Sequence, residues 1–269
     1  MVRERHETIG GRRIRWLEAG PESSTNVLAW LHAFPLSAEM WRPQLDDAPA
    51  DWRVIAPDLA GFGGTDDTPG TPAIDDFAAD LDALLSTLGI PRAVVGGLSM
   101  GGYAAFAMLR RHPARVRALV LADTRSGADS PEARDGRARM LSVVREKGAR
   151  GVADEMLPKL IGETSHRSRP LVVAGVRRLI ESQRPDGIAR AIERLRDRPD
   201  ATPQLPGITV PTLVIVGEED RVTPPAEARA LARDISGATL ATIPAAGHLS
   251  NLENPSEFAG AVRAWLAGV

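Results

Sequence analysis

The 269-residue chain contains no cysteine, which excludes disulfides, thiolate-held metal ions and a cysteine nucleophile. Lysine is nearly absent as well. Only Lys147 and Lys159 represent it against abundant arginine, a bias read as that of the source genome. No apolar run approaches the roughly 20 residues of a membrane span. Met1 to Glu7 carries charge with no apolar run behind it, so no secretory signal is expected and the cytoplasm is the expected compartment. A net charge of −2 gives no electrostatic reason to expect nucleic acid or an anionic membrane as a partner.

What remains is ordinary for a soluble globular protein: 43% apolar and 25% charged residues. One domain is expected, since open α/β folds often exceed the average domain length. A chain this long buries roughly three-quarters of the surface its unfolded form exposes. Short apolar runs read as strands at 12–18, 26–31, 52–56, 93–97, 116–122, 212–216 and 238–243. Between them lie helical patterns. The clearest spaces Phe77, Ala78, Leu81, Leu84, Leu85 and Leu88 along one face and stops at Gly89. Others follow Ser99 as far as His112 and run from 225 to 235 and from 255 to 267. Such alternation implies a mostly parallel sheet covered on both faces. The interval from about 123 to 211 breaks the rhythm with helical patterns near 131–147, 150–158, 169–182 and 186–197 and no convincing strand. It reads as a helical cap, residues 125–208, inserted into a core made of 1–124 and 209–269.

Gly97-Leu98-Ser99-Met100-Gly101 joins the fourth apolar strand to the following helix. Glycines flank a serine at such a turn because the backbones come too close for a Cβ. The turn exposes the hydroxyl at the strand's C-terminal end, beside the unpaired N–H groups of a helix N-terminus. A serine hydroxyl needs a base, and the base needs an orienting carboxylate. In an open parallel sheet these belong on loops at the C-terminal edge. Asp220 follows one strand and His248 follows the last, so the order along the chain is Ser99, Asp220, His248. The other histidines fit the base role less well. His6 lies in the charged N-terminus, His112 ends a helix, and His166 lies in a polar stretch of the insertion. Gly61, Gly63 and Gly64 are turn glycines, because no helix of dinucleotide-binding type follows them.

With these residues, and with His32-Ala33-Phe34-Pro35, Val54 to Gly63, Gly217 to Pro224 and Gly247 to Pro255, the chain resembles the α/β-hydrolase family over essentially its whole length. It is most similar to 3-oxoadipate enol-lactonase-like hydrolases and small carboxylesterases. The resemblance implies a mostly parallel eight-stranded sheet flanked by helices, with a helical cap. It places the acid at Asp220 ahead of Glu218, Glu219 and Asp123; Asp123 stands where some members carry the acid. Two backbone N–H groups should receive the oxyanion. Met100, the residue after the nucleophile, supplies one, and the resemblance implies Phe34 as the second. It also gives His32 a supporting role beside that loop. Ala33 departs from the commoner His-Gly beginning and would be strained if the loop demanded φ > 0 there.

The activity implied is carboxylic ester hydrolysis through an acyl-enzyme, with no metal or organic cofactor, on a small-molecule ester or lactone. A 3-oxoadipate enol-lactonase-like activity is the alternative, and it would need a cation for the substrate carboxylate; Arg125 or an arginine of the cap is the candidate. Trp41 and Phe62 are candidate pocket residues. Carbon–carbon hydrolysis and perhydrolysis use the same residues, while a serine in place of aspartate argues against haloalkane dehalogenase and epoxide hydrolase chemistry. A non-catalytic ligand sensor on this fold is the reading of another class. The chain is expected to act as a monomer or homodimer, without nucleic acid or membrane.

Overall fold

Runs such as Leu119-Val120-Leu121 are apolar on both strand faces, a pattern that holds only where helices cover the sheet on either side. The computed structural model, which describes residues 1–269, has that architecture. In chain order it runs β1 (Arg3–Ile9), β2 (Arg12–Ala19), β3 (Asn26–Leu31), α1 (Arg42–Asp46), β4 (Trp52–Pro57), α2 (Asp75–Thr87), β5 (Ala93–Leu98), α3 (Met100–Arg111) and β6 (Val116–Ala122). Four helices follow without a strand: α4 (Pro131–Leu160), α5 (Glu163–Ser168), α6 (Pro170–Glu181) and α7 (Pro185–Arg196). The chain closes with β7 (Thr212–Gly217), α8 (Pro225–Asp234), β8 (Thr239–Ile243), α9 (Ser250–Glu253) and α10 (Pro255–Leu266).

The sheet order is β1-β2-β4-β3-β5-β6-β7-β8, antiparallel only at β1/β2 and β2/β4. Every residue of β4, β5 and β7 is buried. From β3 the chain moves to one side, to β4; from β5 it moves to the other, to β6. Connections therefore diverge above the C-terminal ends of β3 and β5, and the crevice that opens at such a reversal is where α/β sheets bind ligands.

The sequence reading starts its strands at Arg12 and misses β1. The reason is physical: β1 is an edge strand whose five central residues are all exposed, so no apolar alternation marks it. It is held instead by a full backbone ladder to β2, from Arg3 opposite Glu18 to Ile9 opposite Arg12.

Ser130 accepts from the Ala133 N–H at the start of α4, with Pro131 at the first helical position. The helix breaks at Gly148, whose φ of 61° and ψ of −159° suit only glycine. The segment between β6 and β7 bonds to loops beyond the C-terminal ends of β4, β7 and β8. Gln183 accepts from the Gly63 N–H at 3.0 Å, Glu219 from the Thr164 N–H at 2.8 Å, and the Leu160 carbonyl from the His248 N–H at 3.0 Å. Val144, Val152, Leu157, Ile188 and Ile192 belong to the same continuous apolar core as the sheet, so this segment packs onto the sheet body as part of one unit.

Candidate active site

Ser99 lies between the last residue of β5 and the first of α3, at φ 54° and ψ −109°, a sparsely populated conformation that persists only where its surroundings hold it. Its N–H donates to the Ala122 carbonyl at 3.0 Å. Its carbonyl accepts from the Gly102 and Tyr103 N–H groups and from the Thr124 hydroxyl at 2.9 Å. The flanking glycines are required by contact. A Cβ on Gly97 would lie 2.1 Å from the Gly101 carbonyl oxygen, and one on Gly101 would lie 2.0 Å from that of Leu31. Leu98 and Met100 are buried, whereas Ser99 is half-exposed.

The Asp220 carboxylate is buried in the loop after β7. One oxygen accepts from the Val222 and Thr223 N–H groups at 2.7 and 3.0 Å. The other accepts from the Thr223 hydroxyl at 2.7 Å and from His248 Nδ1 at 2.8 Å. Burial opposes ionisation of Asp220, but the charge and hydrogen bond of His248 and the Thr223 bonds outweigh it and hold the carboxyl below the usual carboxylate range. The bond to a carboxylate fixes the proton of neutral His248 on Nδ1 and leaves the Nε2 lone pair free.

Two backbone N–H groups at the crevice have no protein acceptor. Met100 opens α3, a position with no intrahelical acceptor. The Phe34 N–H, in the loop after β3, makes no hydrogen bond. Ala33 is unstrained, since positive φ among non-glycine residues occurs only at Ser99, Asp123 and Ala245. His32 carries this loop: its Nε2 accepts from the Leu59 N–H at 2.9 Å, and its Nδ1–H donates to the Ala33 carbonyl at 3.0 Å. Complete burial lowers its pKa to about 4.

A cavity of about 220 Å³ lies between α4 and the loops after β3 and β7. Its apolar lining includes Phe34, Met140, Met156, Leu160 and Val222. Arg137 and Lys159 are its only charged lining residues.

Two expectations change. Trp41 is fully buried and stacks on Trp30 at 4.3 Å with Phe258 at 6.0 Å. It is a core residue, because the turn that carries it folds its ring inward over the sheet. Arg125 is not among the residues lining the cavity; its guanidinium lies 3.8 Å from the buried carboxylate of Asp129, which also binds Arg137 and Arg198. Phe62, the other pocket candidate, is fully buried, edge-on to His32 and Phe34. Glu218 and Glu219, rivals for the acid, bind the Ala245 N–H and Thr164 respectively. The sequence reading missed Thr223, whose place three residues after Asp220 is the mark of a side-chain turn, and it missed the cavity cation Lys159; Arg137 is one of the cap arginines it offered without a number.

A partly exposed serine thus stands on a strand-to-helix elbow, with an Asp–His pair at the same sheet edge. Residues 26–255 match the family model of the alpha/beta hydrolase fold, and the chain belongs to the α/β-hydrolase family. It is 30% identical to 3-oxoadipate enol-lactonase 2 of Acinetobacter baylyi over 238 residues, 88% of this chain and 87% of that one. Among solved structures, a thermophilic esterase from Thermogutta terrifontis, with malate bound, is 38% identical with a TM-score of 0.93, covering 99% of this chain and 98% of that one. The enol-lactonase of Burkholderia xenovorans LB400 is 29% identical with a TM-score of 0.88, covering 98% and 100%. No helix is long and apolar enough to cross a membrane.

Proposed function

We propose that the protein is a serine hydrolase that cleaves carboxylic esters through an acyl-enzyme, with residues 125–208 serving as a cap over the reacting groups. The observation that carries this reading is the 2.8 Å bond from His248 Nδ1 to the buried Asp220, which leaves Nε2 free to take a proton. Ser99 attacks the ester carbonyl as Nε2 accepts its proton. Asp220 fixes the tautomer and stabilises the imidazolium. The Met100 and Phe34 N–H groups receive the oxyanion, each worth on the order of 10²–10³ in rate. His248 returns the proton to the leaving alcohol, then activates water to release the acid. The hydrogen bonds of the His248 ring are both at Nδ1, and on this reading the Ser99 hydroxyl has to reach Nε2 in the substrate complex, where catalytic contacts often tighten.

A lactone or ester carrying a carboxylate is favoured as substrate by one observation: Arg137 and Lys159 line the cavity and no Asp or Glu does. Arg137 is partly engaged by Asp129 at 3.0 Å, so Lys159 is the freer cation. The similarity to two enol-lactonases points the same way.

The test is turnover of a short p-nitrophenyl ester series by wild type and Ser99→Ala, with fluorophosphonate labelling. Wild type should be labelled and turn over; the variant should lose on the order of 10⁶ in rate. Labelling without turnover on any ester or lactone would identify a ligand sensor instead.

A further inference from the structure

We propose that Asp123 is a positioning residue whose carboxyl clamps the loops of the candidate acid and base against the serine elbow. This rests on the serine-hydrolase reading and adds to it a second buried carboxyl that the reaction does not consume.

Asp123 follows β6, the strand between those that lead to Ser99 and Asp220. One of its oxygens accepts from the Gly217 N–H at 2.7 Å, at the start of the Asp220 loop. The other bonds the hydroxyl of Ser250, two residues after His248. Its neighbours hold the third loop: the Ala122 carbonyl accepts from the Ser99 N–H at 3.0 Å, and the Thr124 hydroxyl donates to the Ser99 carbonyl at 2.9 Å. Three consecutive residues thus bond to all three loops. Asp123 adopts φ 44°, in the left-handed region, as one of three non-glycine residues with positive φ. Strain of that kind survives where surrounding bonds over-determine it.

The clamp works in the neutral form. Asp123 is fully buried and no lysine or arginine pairs with it. The charged groups acting on it are carboxylates: Asp220 after β7, itself bonded to His248, and Glu253 of α9. The elbow side presents only the Ser99 backbone and the Thr124 hydroxyl. Burial, then the Asp220 charge, push its pKa well above the usual carboxylate range. A protonated Asp123 still accepts from the Gly217 N–H with one oxygen and keeps its hydrogen bond with the Ser250 hydroxyl at the other, which satisfies both neighbours. It also leaves Asp220 as the single anion on the imidazole. An ionised Asp123 would bring a second negative charge beside that pair.

The experiment measures kcat and KM for p-nitrophenyl acetate from pH 6 to 10 on wild type, Asp123→Ala, Asp123→Asn and Ser250→Ala, with Ser99→Ala as control. Asp123→Ala should lower kcat on the order of 10- to 100-fold with KM little changed, the scale of a misplaced catalytic group. Asparagine can accept from Gly217 and donate to Ser250, so Asp123→Asn should recover most of that loss at pH 7. It should also lack any alkaline fall in kcat that Asp123 ionisation causes in wild type. Ser250→Ala removes one hydroxyl, so it keeps the test decisive if Asp123→Ala does not fold. The Ser250 bond lowers the Asp123 pKa, so that variant should move any such fall to higher pH. An Asp123→Asn enzyme as slow as Asp123→Ala at pH 7 overturns the proposal, and so does an alkaline fall in wild type that all three variants keep unchanged. If Ser99→Ala turns over like wild type, the serine reading itself fails and the clamp falls with it. A dead Ser99→Ala beside a fully active Asp123→Ala removes the clamp alone.

Discussion

Thr223 donates its hydroxyl at 2.7 Å to the same Asp220 oxygen that holds His248. A buried carboxylate is costly unless its lone pairs are used, and Thr223 supplies two of the four bonds Asp220 receives, one from its hydroxyl and one from its N–H. Thr223→Val keeps shape and backbone donor but removes the hydroxyl. A hydrogen bond to a charged group contributes about 1.5–3 kcal/mol, so kcat should fall about tenfold or more with KM nearly constant. Steady-state kinetics on one neutral ester decides it; an unchanged kcat would mean the hydroxyl does not support the pair.

His32 predicts a pH dependence of stability. Its pKa in the folded protein, about 4, lies below the ordinary 6.5 because burial disfavours the imidazolium. The unfolded chain therefore binds more protons between those values, and stability is lost as pH falls from about 6.5 to 4. The full loss is about 3 kcal/mol. Urea unfolding of wild type and His32→Gln across this window should show the difference between them shrinking by about that amount towards pH 4. Parallel curves would contradict it.

Arg194 of α7 is fully buried, bonded to Asp67 at 2.7 Å and Asp76 at 3.0 Å and packed over Phe77. Arg194→Met keeps the volume, strips Asp76 of its cation and leaves Asp67 with Arg190 alone; each carboxylate is about one-fifth exposed. Removing one partner of a buried pair costs about 3 kcal/mol or more. Guanidinium unfolding should show that loss; a shift under about 1 kcal/mol would place the carboxylates in better solvation than their burial implies.

Lys159 tests the substrate class. Lys159→Glu reverses a charge on the cavity wall, so kcat/KM for an ester with a distal carboxylate should drop about tenfold relative to its neutral methyl ester. An unaltered ratio between the two substrates would remove the case for an anionic substrate.

Much of this architecture was legible in the chain because its strands are short, apolar and flanked by turn residues. The elbow was legible because close backbone contact at Gly97 and Gly101 demands glycine. Asp220 and His248 each lie in a loop beyond a strand at the sheet's C-terminal edge, and the family resemblance set Asp220 ahead of Glu218, Glu219 and Asp123. The remainder depends on tertiary placement. β1 carries no apolar signal because both its faces meet solvent. Trp41 reads equally well as a pocket or a core residue until Trp30 is seen beneath it. Arg125 and Arg137 cannot be told apart by composition; both reach the same Asp129 carboxylate, and only the second lines the cavity.

The most direct measurement is mass spectrometry of the enzyme quenched during turnover of p-nitrophenyl acetate, followed by peptide mapping. The mechanism predicts one acetyl group on the peptide containing Ser99, absent in Ser99→Ala and accumulating when His248 is replaced by alanine only at a greatly reduced rate. Turnover without any acyl adduct, or an adduct on a different residue with Ser99→Ala still active, would contradict it.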